Sequence, residues 1–261
     1  MSASSPRERV PSPRVRHGHA RPFPRPSARA VGAVLGLALG AAVLVVARAL
    51  RAQVTPVDEG SFVVSRRGVA AGREEFRILR QPAAGGAAIV ARGVGAYGAR
   101  RVTPALQADA AGGPMRYQVD VRGGGPDERV AAQAGSGGHF AAQMQHGGNE
   151  GAREYLLPPG TVVADDEAYH QLYFIAQRAL AGATAVPVLV PRSDRQLTVA
   201  VTRVASEPVT IAGRAIPATH FALADARNAW HRDIWVDNEG RVLRVVVPGT
   251  EVDAVREDPP R

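Results

Sequence analysis

Residues 115–146 read MRYQVDVRGGGPDERVAAQAGSGGHFAAQMQH, and this stretch decides the fold class. Alternation of apolar and polar residues with period two is typical of half-buried strands, and clusters of glycine, proline and aspartate are typical of turns. Such clusters lie at 123–127 and 135–138, between runs that alternate in this way: Met115–Arg122, Arg129–Ala134 and His139–His146. The stretch therefore predicts three consecutive antiparallel strands.

The same pattern continues in both directions along the chain. A hairpin is predicted around Gly68 and Gly72, and Val236–Arg241 supplies the Asp, Asn and Gly residues that a tight hairpin turn favours. The whole set predicts a mainly β domain over residues 61–257, built as a curved antiparallel meander or half-barrel. The remaining strands are predicted at Ser61–Ser65, Glu75–Arg80, Ala88–Val94, Arg101–Ala108, Ala152–Leu157, Gln196–Ala205, Glu207–Ile211, Ala215–Ala224, Ala229–Val236 and Arg241–Val247.

One helix is predicted inside this domain, over residues 166–181. Asp165 or Asp166 is placed to cap its start, and Gly182 to end it. Glu167 would lie in the first turn, where a carboxylate suits the helix dipole, and three residues before His170, within contact distance. Apolar residues recur on one face at helical spacing: Ala168, Leu172, Ile175, Ala176 and Ala179. We therefore expect the helix to pack on the sheet.

An uncharged apolar run from Ala30 to Ala47 precedes the β domain. As a helix it would span about 27 Å, close to the ~30 Å hydrocarbon core of a bilayer. Seven arginines stand before it, which predicts a cytoplasmic N-terminus in a bacterial-type inner membrane and a periplasmic or extracellular main domain. Residues 30–50 are interpreted either as a transmembrane signal anchor or as a signal peptide cleaved near Ala49, which would secrete the domain.

The other segments are assigned by composition. Residues 1–29 are rich in Arg, Pro and Ser, which predicts a disordered cytoplasmic tail. Residues 51–60 are interpreted as a linker, and residues 258–261 as a frayed tail.

Charge and cysteine content exclude several classes of function. Residues 1–51 contain nine arginines and one acid, and they therefore carry the entire net charge of +8. The rest of the chain has 23 arginines and 23 acids, so the β domain has no bulk field that would attract nucleic acid. Because the chain contains no cysteine, it has no disulfide, thiolate nucleophile or cysteine-ligated zinc site.

The order of these features resembles a known class of protein. The first strand carries G-x-x-x-G at Gly68 and Gly72, followed by Glu75, Arg77 and Ile78. The meander, the helix and the closing segments Pro217–Phe221 and Ile234–Arg244 complete the pattern. This order resembles bacterial periplasmic proteins of unknown function that are similar in fold to the lipoprotein-localisation carriers. The resemblance implies a half-open antiparallel barrel with a helix across its concave face, acting as a cradle for a hydrophobic or envelope-derived ligand.

Aromatic and histidine residues are the candidates for a ligand site. The helix is the most aromatic part of the chain, and His220 lies close in sequence to Trp230, His231 and Asp233, a set that we expect to face a groove. The residues predicted to line this ligand groove are Tyr169, Tyr173, Phe174, His220, Trp230 and Trp235.

No pattern in the sequence predicts a catalytic, metal or cofactor site. His139 and His146 are an odd number of residues apart on a predicted strand, so they should point to opposite faces. Asp165, Asp166, Glu167 and His170 have the residue types of acid–base catalysis, but helix capping also explains them. The interpretation is therefore a membrane-tethered or exported envelope protein that is not an enzyme and binds a hydrophobic ligand or a protein partner. The alternatives are a structural subunit of a membrane complex and, more distantly, a hydrolase.

Overall fold

The computed structural model describes residues 54–261 apart from Gly85. In this part of the chain, fifteen strands form one large curved sheet that is not closed into a barrel. Two further strands form a small hairpin, and one α-helix packs on the sheet. The prediction of a mainly β fold with one packed helix is confirmed.

The strands are long at the start of the domain and short towards its end. Their order across the large sheet is β8-β7-β6-β5-β4-β3-β2-β1-β17-β16-β15-β14-β11-β10-β9, and β12 and β13 form the hairpin. Their bounds are β1 Thr55–Arg66, β2 Val69–Ala83, β3 Gly86–Tyr97, β4 Arg100–Asp109, β5 Pro114–Arg122, β6 Glu128–Ala134, β7 His139–His146, β8 Asn149–Leu156, β9 Val162–Val163, β10 Ala185–Val190, β11 Arg195–Ser206, β12 Val209–Ile211, β13 Arg214–Ile216, β14 Thr219–Asp225, β15 His231–Val236, β16 Val242–Val247 and β17 Val252–Arg256.

Strands β1–β8 form the predicted meander, in which each strand pairs antiparallel with the next. Alternation along β5 shows why: Tyr117, Val119 and Val121 are fully buried, while Gln118 between them is exposed. The buried side chains share one face of the sheet, which we call the inner face because the helix packs on it. Burial of one face fixes the register, since a slip by one residue would expose the whole apolar set.

The two edges of the sheet are close in sequence, because only residues 157–161 separate β8 from β9. Within the described residues no backbone pairing joins β8 to β9, but side chains of β8 reach the turn between β10 and β11. Tyr155 on β8 donates a 2.8 Å hydrogen bond to Asp194, in the turn after β10, and Arg153 donates to the same carboxylate at 2.9 Å. The sheet is therefore curved enough for β8 at one edge to contact the turn after β10, which is next to the other edge.

The helix α1 spans Leu172–Leu180 and is shorter than predicted. A 3₁₀ turn at Tyr169–Gln171 precedes it, and no side chain caps its start. The capping role expected of Asp165 or Asp166 is wrong, because Glu167 has a left-handed backbone (φ 62°) that cannot belong to a right-handed helix. Gly182 does end the helix as predicted: its φ is 88°, and its N–H donates to the carbonyl of Ala179 at 3.0 Å.

Two apolar clusters hold the fold together. The larger fills the space between α1 and the inner face, where its largest fully buried side chains include Phe62, Leu106, Tyr117, Phe140 and Ile175. The smaller lies on the outer face, under the hairpin β12–β13. Its buried members are Val209, Ile211, Ala218, Trp235 and Leu243.

Several predicted boundaries in the β domain are wrong. Strand β1 begins at Thr55, so half of the predicted linker 51–60 is paired with β2. The predicted strand Ala215–Ala224 is divided at Pro217 between β13 and β14, because proline interrupts backbone pairing. Strands β9, β10 and β17 were not predicted. β10 contains Pro187, which argues against a strand in sequence alone; it is tolerated because β9 pairs only with Val188 and Leu189.

The predictions for residues 1–29 and 30–50 lie outside the described residues. Among residues 54–261 apart from Gly85, none of the helices has the length and apolar character needed to cross a membrane.

Candidate functional site

Residues 164–171, which we call the strap, run over the inner face from β9 to α1. The strap holds Asp165, Asp166 and Glu167 in succession, and each carboxylate binds a different group of arginines. The predicted contact between Glu167 and His170 is absent among these described residues, because Glu167 points to Arg100 and Arg192 instead. The acids therefore attach the strap to the sheet.

Asp165 is the most deeply buried of the three acids, with a side chain only 1% exposed. It accepts a 2.7 Å hydrogen bond from the Tyr117 hydroxyl and a 3.2 Å hydrogen bond from Arg192 Nε. Burial raises the pKa of Asp165 above its usual value, while Arg192 and the Tyr117 hydrogen bond act in the opposite direction. This carboxylate is therefore stabilised inside the protein by its two partners.

Arg192 is the centre of an ion-pair network beneath the strap. Its side chain is 7% exposed; besides Asp165 it contacts Glu167 at 3.4 Å and the backbone carbonyl of Asp166. Burial alone would lower the pKa of Arg192, but the surrounding acids, Asp165 first among them, raise it above its usual value. Arg100 extends the network, since it bridges Glu167 at 3.1 Å and Glu128 at 3.2 Å.

His170 and Glu74 form a buried pair at the other end of the strap. Both side chains are fully buried, and His170 Nδ1 lies 2.5 Å from Glu74 Oε1. The second oxygen of Glu74 accepts the backbone N–H of Tyr169 at 2.9 Å, and the imidazole stacks on Phe76. Solvent does not reach this pair. Because Glu74 lies on β2 and binds both Tyr169 and His170, it attaches the strap to that strand.

An open cleft of about 700 Å³ lies between the strap, the start of β15 and residues 247–252. Arg232 Nη2 binds Asp166 at 2.7 Å, and its guanidinium lies 4.7 Å from the ring centroid of Trp230. Arg195 reaches the other oxygen of Asp166 at 3.4 Å. The cleft wall thus combines arginines with apolar rings; its lining includes Arg66, Asp166, Tyr169, Arg195, Trp230 and Arg232.

The six residues predicted to line one groove lie in three places. Tyr169 and Trp230 do line the cleft together. Tyr173 and Phe174 are in the core, since they lie on the part of α1 that packs against the sheet. His220 and Trp235 lie on the outer face, because alternation along β15 turns Trp235 away from its inner-face neighbours Ile234 and Val236.

The histidines predicted near a groove form a polar cluster on the outer face. His220 stacks on Trp235 with centroids 4.1 Å apart, and its Nε2 lies 3.0 Å from Asp233. His231 Nε2 is 3.5 Å from the same carboxylate. Glu207 accepts a 2.6 Å hydrogen bond from Trp235 Nε1. The contacts join β14, β15 and the segment before β12, so the cluster supports the cover that β12 and β13 form over Trp235.

The described residues contain no group of three or more His, Asp or Glu side chains arranged to hold a metal ion. His139, one of the two histidines at the ends of the predicted strand His139–His146, pairs with a carboxylate instead: its Nδ1 lies 3.0 Å from Oε1 of Glu154 on β8. The candidate functional site is therefore the cleft.

Comparisons with known proteins give little guidance. No protein-family model matches the chain, and no curated protein matches it. One similar solved structure is the crystal structure of a DUF1089 family protein from Pseudomonas aeruginosa, at 16% sequence identity. The match covers 73% of this chain and 90% of that one, with a TM-score of 0.39, which is too low to support a conclusion. The resemblance to lipoprotein-localisation carriers stays a prediction.

Proposed function

We propose that the β domain is a non-enzymatic binding module of the cell envelope, membrane-tethered or exported, and that it holds part of an envelope-derived ligand in the cleft. The supporting observation is the cleft itself, whose volume of about 700 Å³ lies in the range of small-molecule sites. Tyr169, Leu172 and Trp230 form the apolar part of its lining, and arginines line it beside them, with Arg232 directly over the Trp230 ring. An amphipathic ligand matches this combination.

The cleft is a better candidate for the ligand than the space under the helix. That space is filled by fully buried side chains, including Phe62, Tyr117 and Ile175. A protein interior packed in this way has no room for an acyl chain unless elements move apart. The proposal therefore differs from the carrier-type cradle that the sequence suggests, because the ligand contacts one end of the inner face and not its centre.

Contacts of the strap's acid–base groups favour binding over catalysis. A general acid or base must reach its substrate, yet His170 and Glu74 are fully buried against each other. Asp165 is enclosed by Tyr117 and Arg192. These groups have structural partners, which is why we prefer a binding module to the hydrolase alternative.

Tryptophan fluorescence provides a direct test, because the chain has two tryptophans and only Trp230 lines the cleft. In a full-length Trp235→Phe variant, Trp230 is the single reporter. We expect membrane-derived amphiphiles to change its emission in a saturable way, and native mass spectrometry to detect a stoichiometric complex. A matched Trp230→Phe variant, which retains Trp235 on the outer face, should show no such change. Equal responses from both variants, or no response to any amphiphile, would contradict the proposal.

A further inference from the structure

The arginines around the cleft are not fully balanced by acids. Asp166 alone binds both Arg232 and Arg195. Arg66, at the end of β1, also lines the cleft, and within the described residues no ion pair involves it. Three acids also line the cleft, but Asp165 and Glu167 pair with Arg192 and Arg100. Asp166 is therefore the one acid in this lining that pairs with the cleft arginines Arg195 and Arg232. Arg66, Arg195 and Arg232 are therefore incompletely matched by acids in the cleft.

Arg232 is fixed in position before any ligand arrives. Its side chain is 14% exposed, its guanidinium lies over the Trp230 ring, and its Nη1 donates to the carbonyl of His231 at 2.7 Å. Burial lowers the pKa of Arg232, and Asp166 opposes that effect. A partly desolvated guanidinium gains more from an added anion than an exposed one, because water screens the charges less. Its rigid fork of donors also matches an oxyanion in geometry.

Tyr169 supplies a further group close to these arginines. Its ring lines the cleft together with Arg66 and Arg232. Burial first, and then the negative charge of Glu74, raise the pKa of its hydroxyl, which therefore keeps its proton. No hydrogen bond of this hydroxyl is present within residues 54–261 apart from Gly85. The phenol O–H is therefore a free donor beside the arginines.

We propose that the cleft recognises the phosphate group of its ligand, with Arg66, Arg195 and Arg232 as the recognition residues. This assignment rests on the proposed binding function and adds the chemical class of the ligand. A phosphate presents several acceptor oxygens and up to two negative charges, which suits several guanidinium donors better than a single carboxylate does. The apolar wall of Trp230, Tyr169 and Leu172 would contact the part of the ligand next to the phosphate.

The test compares two molecules that differ only in the phosphate. Dihexanoyl phosphatidic acid and dihexanoylglycerol have the same acyl chains, and inorganic phosphate represents the free anion. Each is titrated into the full-length Trp235→Phe protein while Trp230 emission is recorded. We expect dihexanoyl phosphatidic acid to bind at least about tenfold more tightly than dihexanoylglycerol, since a hydrogen bond to a charged group is worth about 1.5–3 kcal/mol. Raising the salt concentration should weaken the first interaction and not the second.

Arg66 and Arg67 offer a matched pair of variants. Arg66 lines the cleft, whereas Arg67 does not, is 79% exposed and binds Glu251. Arg66→Gln should weaken binding of dihexanoyl phosphatidic acid by about tenfold. Arg67→Gln removes the same charge one residue along and should leave binding nearly unchanged.

The outcomes separate the phosphate proposal from the proposed function. Equal affinity for the two acyl compounds would overturn the phosphate site while leaving a binding module in place. Equal losses in the two arginine variants would also overturn it, because attraction would then be general. Inorganic phosphate that binds as tightly as the lipid would support the phosphate site and count against the amphipathic ligand. The absence of any response from all three compounds would reject both proposals.

Discussion

Replacing Arg192 with methionine should destabilise the domain strongly. The substitution keeps most of the aliphatic volume and removes the guanidinium that contacts Asp165, Glu167 and the carbonyl of Asp166. The Asp165 side chain, 1% exposed, would then keep only its hydrogen bond from Tyr117 and the contact with its neighbouring backbone N–H. A carboxylate left unpaired in the interior is costly, because neither water nor a counter-charge stabilises it.

The magnitude follows from the burial of both partners. Removing one member of a buried ion pair costs about 3–5 kcal/mol, and no large correction for solvent screening applies when Arg192 is 7% exposed. A domain of this size has a free energy of unfolding of about 5–15 kcal/mol, so the loss would be a large part of the total. At about 2–4 °C per kcal/mol, the Tm should fall by roughly 6–20 °C.

Urea unfolding at several pH values measures this loss and its origin. Without Arg192 the pKa of Asp165 in the folded state should rise further above its unfolded value, because burial raises it and the opposing charge is gone. A carboxyl with a raised folded pKa takes up a proton more readily when folded. The loss relative to the parent protein should therefore be largest above the folded pKa of Asp165 and should shrink as the pH falls through it.

Two further variants complete the experiment. Arg67→Met removes an arginine whose ion pair with Glu251 is mostly exposed (79% and 62%), so it should cost less than about 1 kcal/mol at any pH. Adding Asp165→Asn to Arg192→Met removes the unpaired charge and should restore part of the stability. A loss for Arg192→Met no larger than that for Arg67→Met, or one that does not change with pH, would refute this account of the strap.

Two smaller predictions concern the packing of the strap and the edges of the sheet. Gly93→Ala should lower the free energy of unfolding by about 1–3 kcal/mol, because the added Cβ would lie 2.7 Å from Cε1 of His170. Gly151→Ala is the control: its Cβ would have no heavy atom within 4 Å, so it should change the free energy of unfolding by no more than about 0.5 kcal/mol. Equal effects in thermal unfolding would contradict the close packing around His170. Tyr155→Phe removes the 2.8 Å hydrogen bond to Asp194 and should lower the free energy of unfolding by about 0.5–1.5 kcal/mol. It should also speed amide hydrogen exchange in β8. Unchanged exchange would mean that this hydrogen bond does not hold β8 against the turn after β10.

The meander was predictable from sequence because its signals are local. Alternation places Tyr117, Val119 and Val121 on one face without any knowledge of their partners. The buried face of α1 was also predictable, since Ile175, Ala176 and Ala179 recur at helical spacing and are all buried. Local patterns do not show where the chain ends meet. The pairing of β17 with β1 joins residues nearly 200 positions apart, and no short-range signal specifies it.

The candidate site was predicted poorly because its partners are distant and ordinary in sequence. Three acids before an apolar run look like a helix start, and only the left-handed backbone at Glu167 excludes that role. Their partners Arg192 and Arg232 are two among 32 basic residues, all of them arginine, so no sequence feature distinguishes them from the other arginines. The outer-face position of Trp235 could have been predicted from the sequence, because alternation along β15 places it on the opposite face from Ile234.

The order of burial along the strap connects the fold to the proposed ligand. The side chain of Asp165 is 1% exposed, that of Glu167 23% and that of Asp166 38%. A buried carboxylate has to be matched closely, and Asp165 is matched by Arg192 and the Tyr117 hydroxyl. A half-exposed carboxylate can be shared, because water screens the remaining charge, so Asp166 serves both Arg195 and Arg232. The arginines that the strap leaves incompletely matched are therefore those that face the cleft, where the proposed phosphate would complete the charge balance.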